Sequence, residues 1–168
     1  MKLVLVTAIC LVGVGSATAA DVFDAIYVLD PAACERAGEA DFANVLFELQ
    51  ASVVAPRTGI WVGGELACTL VDFREYPSPI AETSEDVELY ASARCHGYDL
   101  DFLDTVVLTA VSQQINMANG DTGEVPEDKM QIISMRADIG GEAITDGYAG
   151  IYTRCDALTL DQVQAWQE

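Results

Sequence analysis

Two stretches decide how this chain folds: Gly64–Phe73, GELACTLVDF, and Asp86–Tyr98, DVELYASARCHGY. In the second, Val87, Leu89, Ala91, Ala93 and Cys95 alternate with Glu88, Tyr90, Ser92, Arg94 and His96. A period of two puts successive side chains on opposite faces of an extended chain, so this is a strand with one apolar and one polar face. Cys95 belongs to the apolar set. In the first stretch Leu66, Cys68 and Leu70 share a face, against Ala67, Thr69, Val71 and Phe73. Two cysteines on the inward faces of consecutive antiparallel strands are well placed to bridge. The pairing Cys68–Cys95 is therefore expected, with the rest of the chain laid around it.

The N-terminus supports that expectation. Met1-Lys2 is a short positive start, Leu3–Val14 is an almost unbroken apolar run, and Ser16–Ala20 is made of small residues. This is the three-part pattern of a secretory signal, with cleavage expected after Ala19 or Ala20. The apolar run is shorter than the roughly 17–25 residues needed to span a bilayer. Residues 1–20 are thus read as a cleaved signal and 21–168 as a single disulfide-tied β-domain, periplasmic or secreted, with no membrane insertion after cleavage. Cys10 leaves with the signal, and the five cysteines of the chain become four: Cys34, Cys68, Cys95 and Cys155. An even set in an exported domain reads as two disulfides. No Cys-x-x-Cys pair is present, which argues against a zinc site or a redox couple. If Cys68 pairs with Cys95, Cys34 pairs with Cys155.

Charge is the second strong signal. The chain carries 27 acidic and 8 basic residues, and losing Lys2 leaves 7 basic residues and a formal charge of −20. Binding nucleic acid requires Lys and Arg to neutralise phosphates, so nucleic acid is excluded as a partner. Such a surface suits solubility, or a basic protein as partner.

The other elements follow from local pattern. Val22–Leu29 reads as a first strand, and Asp30-Pro31 as the cap and first turn of a short helix ending at Gly38. In Phe42–Val54, Phe47, Leu49, Ala51 and Val53 alternate with Glu48, Gln50 and Ser52, which predicts a strand. Ile60–Val62 and Glu65–Phe73 are strands split at Gly63-Gly64 by a bulge or kink. Arg74–Glu85, with Pro77 and Pro79, reads as an exposed loop and as the candidate interaction surface, through Arg74, Glu75, Tyr76, Glu82 and Glu85. Thr105–Ser112 and Met130–Met135 are strands, with a polar loop at Asn119–Glu124 between them. Asp146-Gly147 marks a turn before a last strand, Tyr148–Cys155. Thr159 and Gln162 form a capping box opening a helix over Leu160–Glu168. About seven short strands with turns between them predict a mainly β protein, a small antiparallel barrel or sandwich with short helical pieces near both ends.

No constellation carries recognisable chemistry. His96 follows Cys95, but neighbours on a strand face opposite ways, and the hydrolase elbow Gly-x-Ser-x-Gly is missing. Asp99, Asp101 and Asp104 have the oxygen chemistry calcium needs, yet acids in such positions are ordinarily turn formers. The Asn119–Glu124 loop departs from the calcium-loop pattern at Gly123. Trp61, Tyr90, Tyr98, Tyr148 and Tyr152 read as core or cross-strand packing. No catalytic residue, metal or cofactor is assigned, and the protein is not expected to be an enzyme. Three functional expectations remain. The first is a non-catalytic binding domain, an acidic inhibitor or sequestering partner of a basic protein. The second is a small barrel carrying an apolar ligand, since about eight strands can enclose one. The third is a hydrolase built on some pair of its many carboxylates.

Overall fold

The computed structural model describes residues 22–63, 66–77, 87–97, 100–111, 115–116, 122–123, 128–136 and 148–164. The signal at 1–20, Tyr98, Asp99, Glu82 and Glu85 of the expected loop, and the turn at Asp146-Gly147 lie outside the described residues.

The chain forms a closed antiparallel barrel. Its strands are β1 (Tyr27–Val28), β2 (Ser52–Ala55), β3 (Gly59–Val62), β4 (Leu66–Pro77), β5 (Val87–Gly97), β6 (Leu100–Val111), β9 (Lys129–Ser134) and β10 (Gly150–Arg154). Each strand from β2 to β6 pairs with the next, β9 follows β6, and β10 follows β9. The short β1 closes the ring by pairing with both β10 and β2. A separate hairpin, β7 (Ile115–Asn116) against β8 (Thr122–Gly123), lies between β6 and β9 in sequence. The barrel therefore has eight strands where the sequence pattern indicates about seven, and closure distinguishes it from a sandwich.

Two bodies of apolar side chains result. The lumen holds Leu66, Cys68, Leu70, Leu89, Ala91, Ala93 and Cys95, the inward sets of the two opening stretches, together with Tyr27, Met130, Tyr148 and Tyr152. The second body lies outside the wall of β1–β3, where Val28, Val53 and Trp61 are covered by α1 (Pro31–Glu35), α2 (Phe42–Leu49) and α3 (Leu160–Gln164). Cys68 and Cys95 are direct cross-strand partners and are bonded. Cys34, on α1, is bonded to Cys155, just past β10, across 121 residues of sequence. One staple thus sits in the lumen and the other ties the helical layer to the barrel.

The structure corrects four expectations. Phe42–Val54 is not one strand but α2 followed by β2. The Asp41 side chain caps the helix by accepting from Asn44 N, Phe42, Val45 and Leu46 bury one face at helical spacing, and Gln50 ends it in the left-handed conformation. The alternation of Phe47 and Leu49 with their polar neighbours was short enough to fit either period. Arg74–Pro77 is not loop: beyond an irregularity after Val71, β4 continues and pairs Arg74 with Tyr90 and Pro77 with Val87. A proline is tolerated there because it is the last residue of its strand. Third, β6 begins at Leu100, not Thr105, so Asp101 and Asp104 are ladder residues and not turn formers. Fourth, of Val22–Leu29 only Tyr27–Val28 is strand.

Candidate functional site

The barrel has an apolar lumen and a mixed outer wall, on which Leu103, Ile133, Met135 and Ile151 are exposed beside polar residues. On β5 the outward residues include Glu88, Ser92, Arg94 and His96, while Leu89, Ala91, Ala93 and Cys95 point inward. Tyr27, Tyr148 and Tyr152 are the largest fully buried side chains, and each phenol has a partner. Tyr27 donates to the Val22 carbonyl at 2.8 Å. Tyr152 donates to the Tyr148 carbonyl at 2.9 Å, and Tyr148 donates to Asp104 Oδ2. Burial pushes the Tyr27 phenol up to about 12, and it raises Tyr148 and Tyr152 further.

Asp104 is the unexpected member. It follows Phe102 on the inward face of β6 and is buried. Its carboxylate accepts from Ser134 Oγ at 2.5 Å, from Thr105 N at 2.7 Å and from Tyr148. A buried carboxylate with three donors is satisfied by the protein itself. Asp101, three residues earlier, points outward and lies 2.6 Å from His96 Nδ1, both side chains being 83% exposed. The two acids therefore leave opposite faces of one strand and do not converge as a cation site requires. His96 faces away from Cys95, which is half of a disulfide.

The residues expected to form an interaction loop take three separate places along β4. Arg74 is exposed. Glu75 pairs with Arg57 at 2.5 Å, and Arg57 also lies 3.5 Å from Asp24. Tyr76 packs edge-on against Tyr90, with ring centroids 5.2 Å apart. The Tyr90 hydroxyl donates to the buried Glu88 at 2.9 Å, and that bond raises the phenol's pKa. Arg74, Glu75 and Tyr76 thus belong to a strand paired with β5.

Two other surfaces stand out. On the helical layer, α2 buries Phe42, Val45 and Leu46 but leaves Phe47 56% exposed. On the same layer Glu35, Glu39, Asp41 and Glu48 are exposed. Arg36 bridges the helices, donating to Glu39 at 2.6 Å and to Glu48 at 3.1 Å. That bonding raises the guanidinium pKa and holds Glu39 below the usual carboxylate range. On the bare side of the barrel, a cleft of about 450 Å³ is lined by Asp72, Ser92, Arg94, Leu103, Thr105 and Arg136, with Asp104 and Met135. Sequence reasoning missed Arg136 because it lies two residues beyond the end of β9, where periodicity carries no information. It missed Phe47 because the helix containing it was read as strand.

No family model, curated protein or solved structure matches this chain.

Proposed function

We propose that this is an exported, non-catalytic binding domain whose acidic outer surface engages a basic protein, as inhibitor or sequestering partner. The observation that carries the reading is Phe47, a large apolar side chain 56% exposed on an acidic helical layer. Anchors of protein interfaces are typically aromatic side chains ringed by polar residues that contribute less energy. The same helical layer exposes Glu35, Glu39, Asp41 and Glu48, and its Arg36 already has its charge matched by two carboxylates. The formal charge of −19 over the chain would steer a basic partner toward this face. The two disulfides fit an oxidising compartment outside the cytoplasm. Packing of Tyr27, Met130, Tyr148 and Tyr152 across the lumen favours an external docking surface over a carrier.

The test is retention of proteins from an envelope extract on the immobilised mature chain. A basic protein retained at low salt, released at high salt, and lost from the Phe47→Ser and Glu35→Gln variants is the expected result. Retention that is insensitive to salt, or unchanged in both variants, would refute the proposal.

A further inference from the structure

The large apolar side chains exposed on the barrel wall are not scattered. Leu103 is 72% exposed, Met135 61%, Ile133 41% and Ile151 37%. The strand register puts them side by side. Met135 N donates to the Thr105 carbonyl, and Thr105 is two residues from Leu103 on the outward side of β6. Ile133 lies opposite Val107 of β6. Gln131, the next outward residue of β9, lies opposite Ile151 of β10. Side chains two apart on a strand share a face, and direct and diagonal cross-strand neighbours reach one another. Leu103, Met135, Ile133 and Ile151 therefore form one strip running across β6, β9 and β10. Single exposed apolar residues need no explanation, but a contiguous patch rimmed by polar ones marks an interaction site.

Charge distinguishes between the possible occupants. The chain has 27 acidic residues against 8 basic. Yet among the described residues Asp101 is the only carboxylate on the outward face of β6, β9 and β10, and it lies 2.6 Å from His96 Nδ1. The charges at the ends of the strip are cations. Arg94 is the cross-strand partner of Leu103, and Lys129, two residues before Gln131, donates to Thr153 at 2.6 Å. Neither has a carboxylate within ion-pairing distance among the described residues. A basic protein is drawn to the acidic surfaces and gains nothing on such a wall. A second copy of this chain has the opposite preference. Two strongly acidic chains repel each other, and the repulsion is least where carboxylates are fewest. A two-fold contact sets the same patch of each copy against the other, so the strip can bury apolar surface without burying an unmatched carboxylate.

We propose that this strip is the contact between two copies of the chain, joined about a two-fold axis with Leu103, Met135, Ile133 and Ile151 of each at its centre. The helical layer covers a different part of the wall, β1–β3, so the dimer contact is separate from the docking of a basic protein and stands or falls independently of it.

The test is sedimentation equilibrium of the mature chain over a wide concentration range, at low and high salt. The Debye length falls from about 10 Å at 0.1 M salt to about 3 Å at 1 M. A monomer–dimer equilibrium that tightens at high salt is expected, the opposite of the salt response of the docking. Leu103→Glu/Met135→Glu changes two exposed side chains and should weaken the dimer by about tenfold or more, as loss of interface anchors does. Leu103→Thr/Met135→Thr should also weaken it, and decides the matter if the charged variant does not fold. Phe47→Ser should leave the dimer unchanged. A monomer at every concentration and salt would overturn the proposal, as would association that weakens with salt or persists in both double variants. Loss of association in Phe47→Ser would place the contact on the helical layer instead. A monomer that floats with neutral phosphatidylcholine vesicles would make the strip a lipid-facing surface and equally overturn the proposal.

Discussion

Gly59 shows how little room the barrel leaves at a single residue. It opens β3, and a Cβ built on it would stand 2.6 Å from the Cys68 carbonyl oxygen and 3.2 Å from the Trp61 ring. The nearer atom is backbone, held in the ladder beside the lumen disulfide, so it cannot swing aside. Gly59→Ala is expected to cost about 1–3 kcal/mol through overpacking, seen as a lower denaturant midpoint with an unchanged slope. The buried tyrosines make a prediction in pH. Their phenols ionise near 10 in an unfolded chain but near 12 or above in the fold. A folded pKa raised above the unfolded one gives stability that is intact below pH ~10 and is lost as pH climbs toward the folded value. Alkaline unfolding is therefore expected between about pH 10 and 12, with the ultraviolet tyrosinate band of these residues growing in step with loss of the fold. Ionisation well before unfolding would show the phenols to be exposed. Asp104 could not be foreseen from sequence, because one inward carboxylate in an apolar series looks like a break in the series. Its three donors come from β6, β9 and Tyr148, two residues before β10, and only the closed barrel brings them together.

At the scale of elements, the parts legible in the sequence were those with a long, regular signal. The strand around Cys95 shows five alternations, and the structure places its two sides in the lumen and on the outer wall. The caps at Asp30 and Thr159 were legible because a side-chain acceptor three or fewer residues from its target is a local event. In α2 the burial of Phe42, Val45 and Leu46 and the alternation of Phe47, Leu49, Ala51 and Val53 overlap in one segment, so the helical and strand periods compete. The helix wins because Asp41 caps it and because its apolar face has β1–β3 to cover. The reach of β4 past Val71 was hidden by Pro77, which reads as a breaker when its position at a strand end is unknown. The two staples differ in what they hold. By loop-closure entropy the Cys68–Cys95 bridge contributes up to about 3.5 kcal/mol and Cys34–Cys155 about 5 kcal/mol. The Cys34→Ala/Cys155→Ala double variant should therefore lose more thermal stability than Cys68→Ala/Cys95→Ala. In the former, protection of amides in α1 and α2 should fall first, measured by hydrogen exchange. Equal protection of helices and barrel would show that the helical layer does not depend on its staple.

For the whole molecule the central point is the inversion between inside and outside. An eight-stranded barrel can enclose a ligand or fill itself with side chains. Here the inward residues of the strands, joined by Tyr27, Tyr148, Tyr152 and Met130, make the lumen a core. The proposed binding is then assigned to the outer surface. The most direct test is titration with the neutral apolar fluorophore N-phenylnaphthylamine, comparing the mature chain with a Tyr152→Ala variant in which the lumen is opened. The account predicts no saturable emission change for the mature chain and a saturable one once that ring is removed. Saturable, stoichiometric binding by the unaltered protein would contradict it, and would make the barrel a carrier.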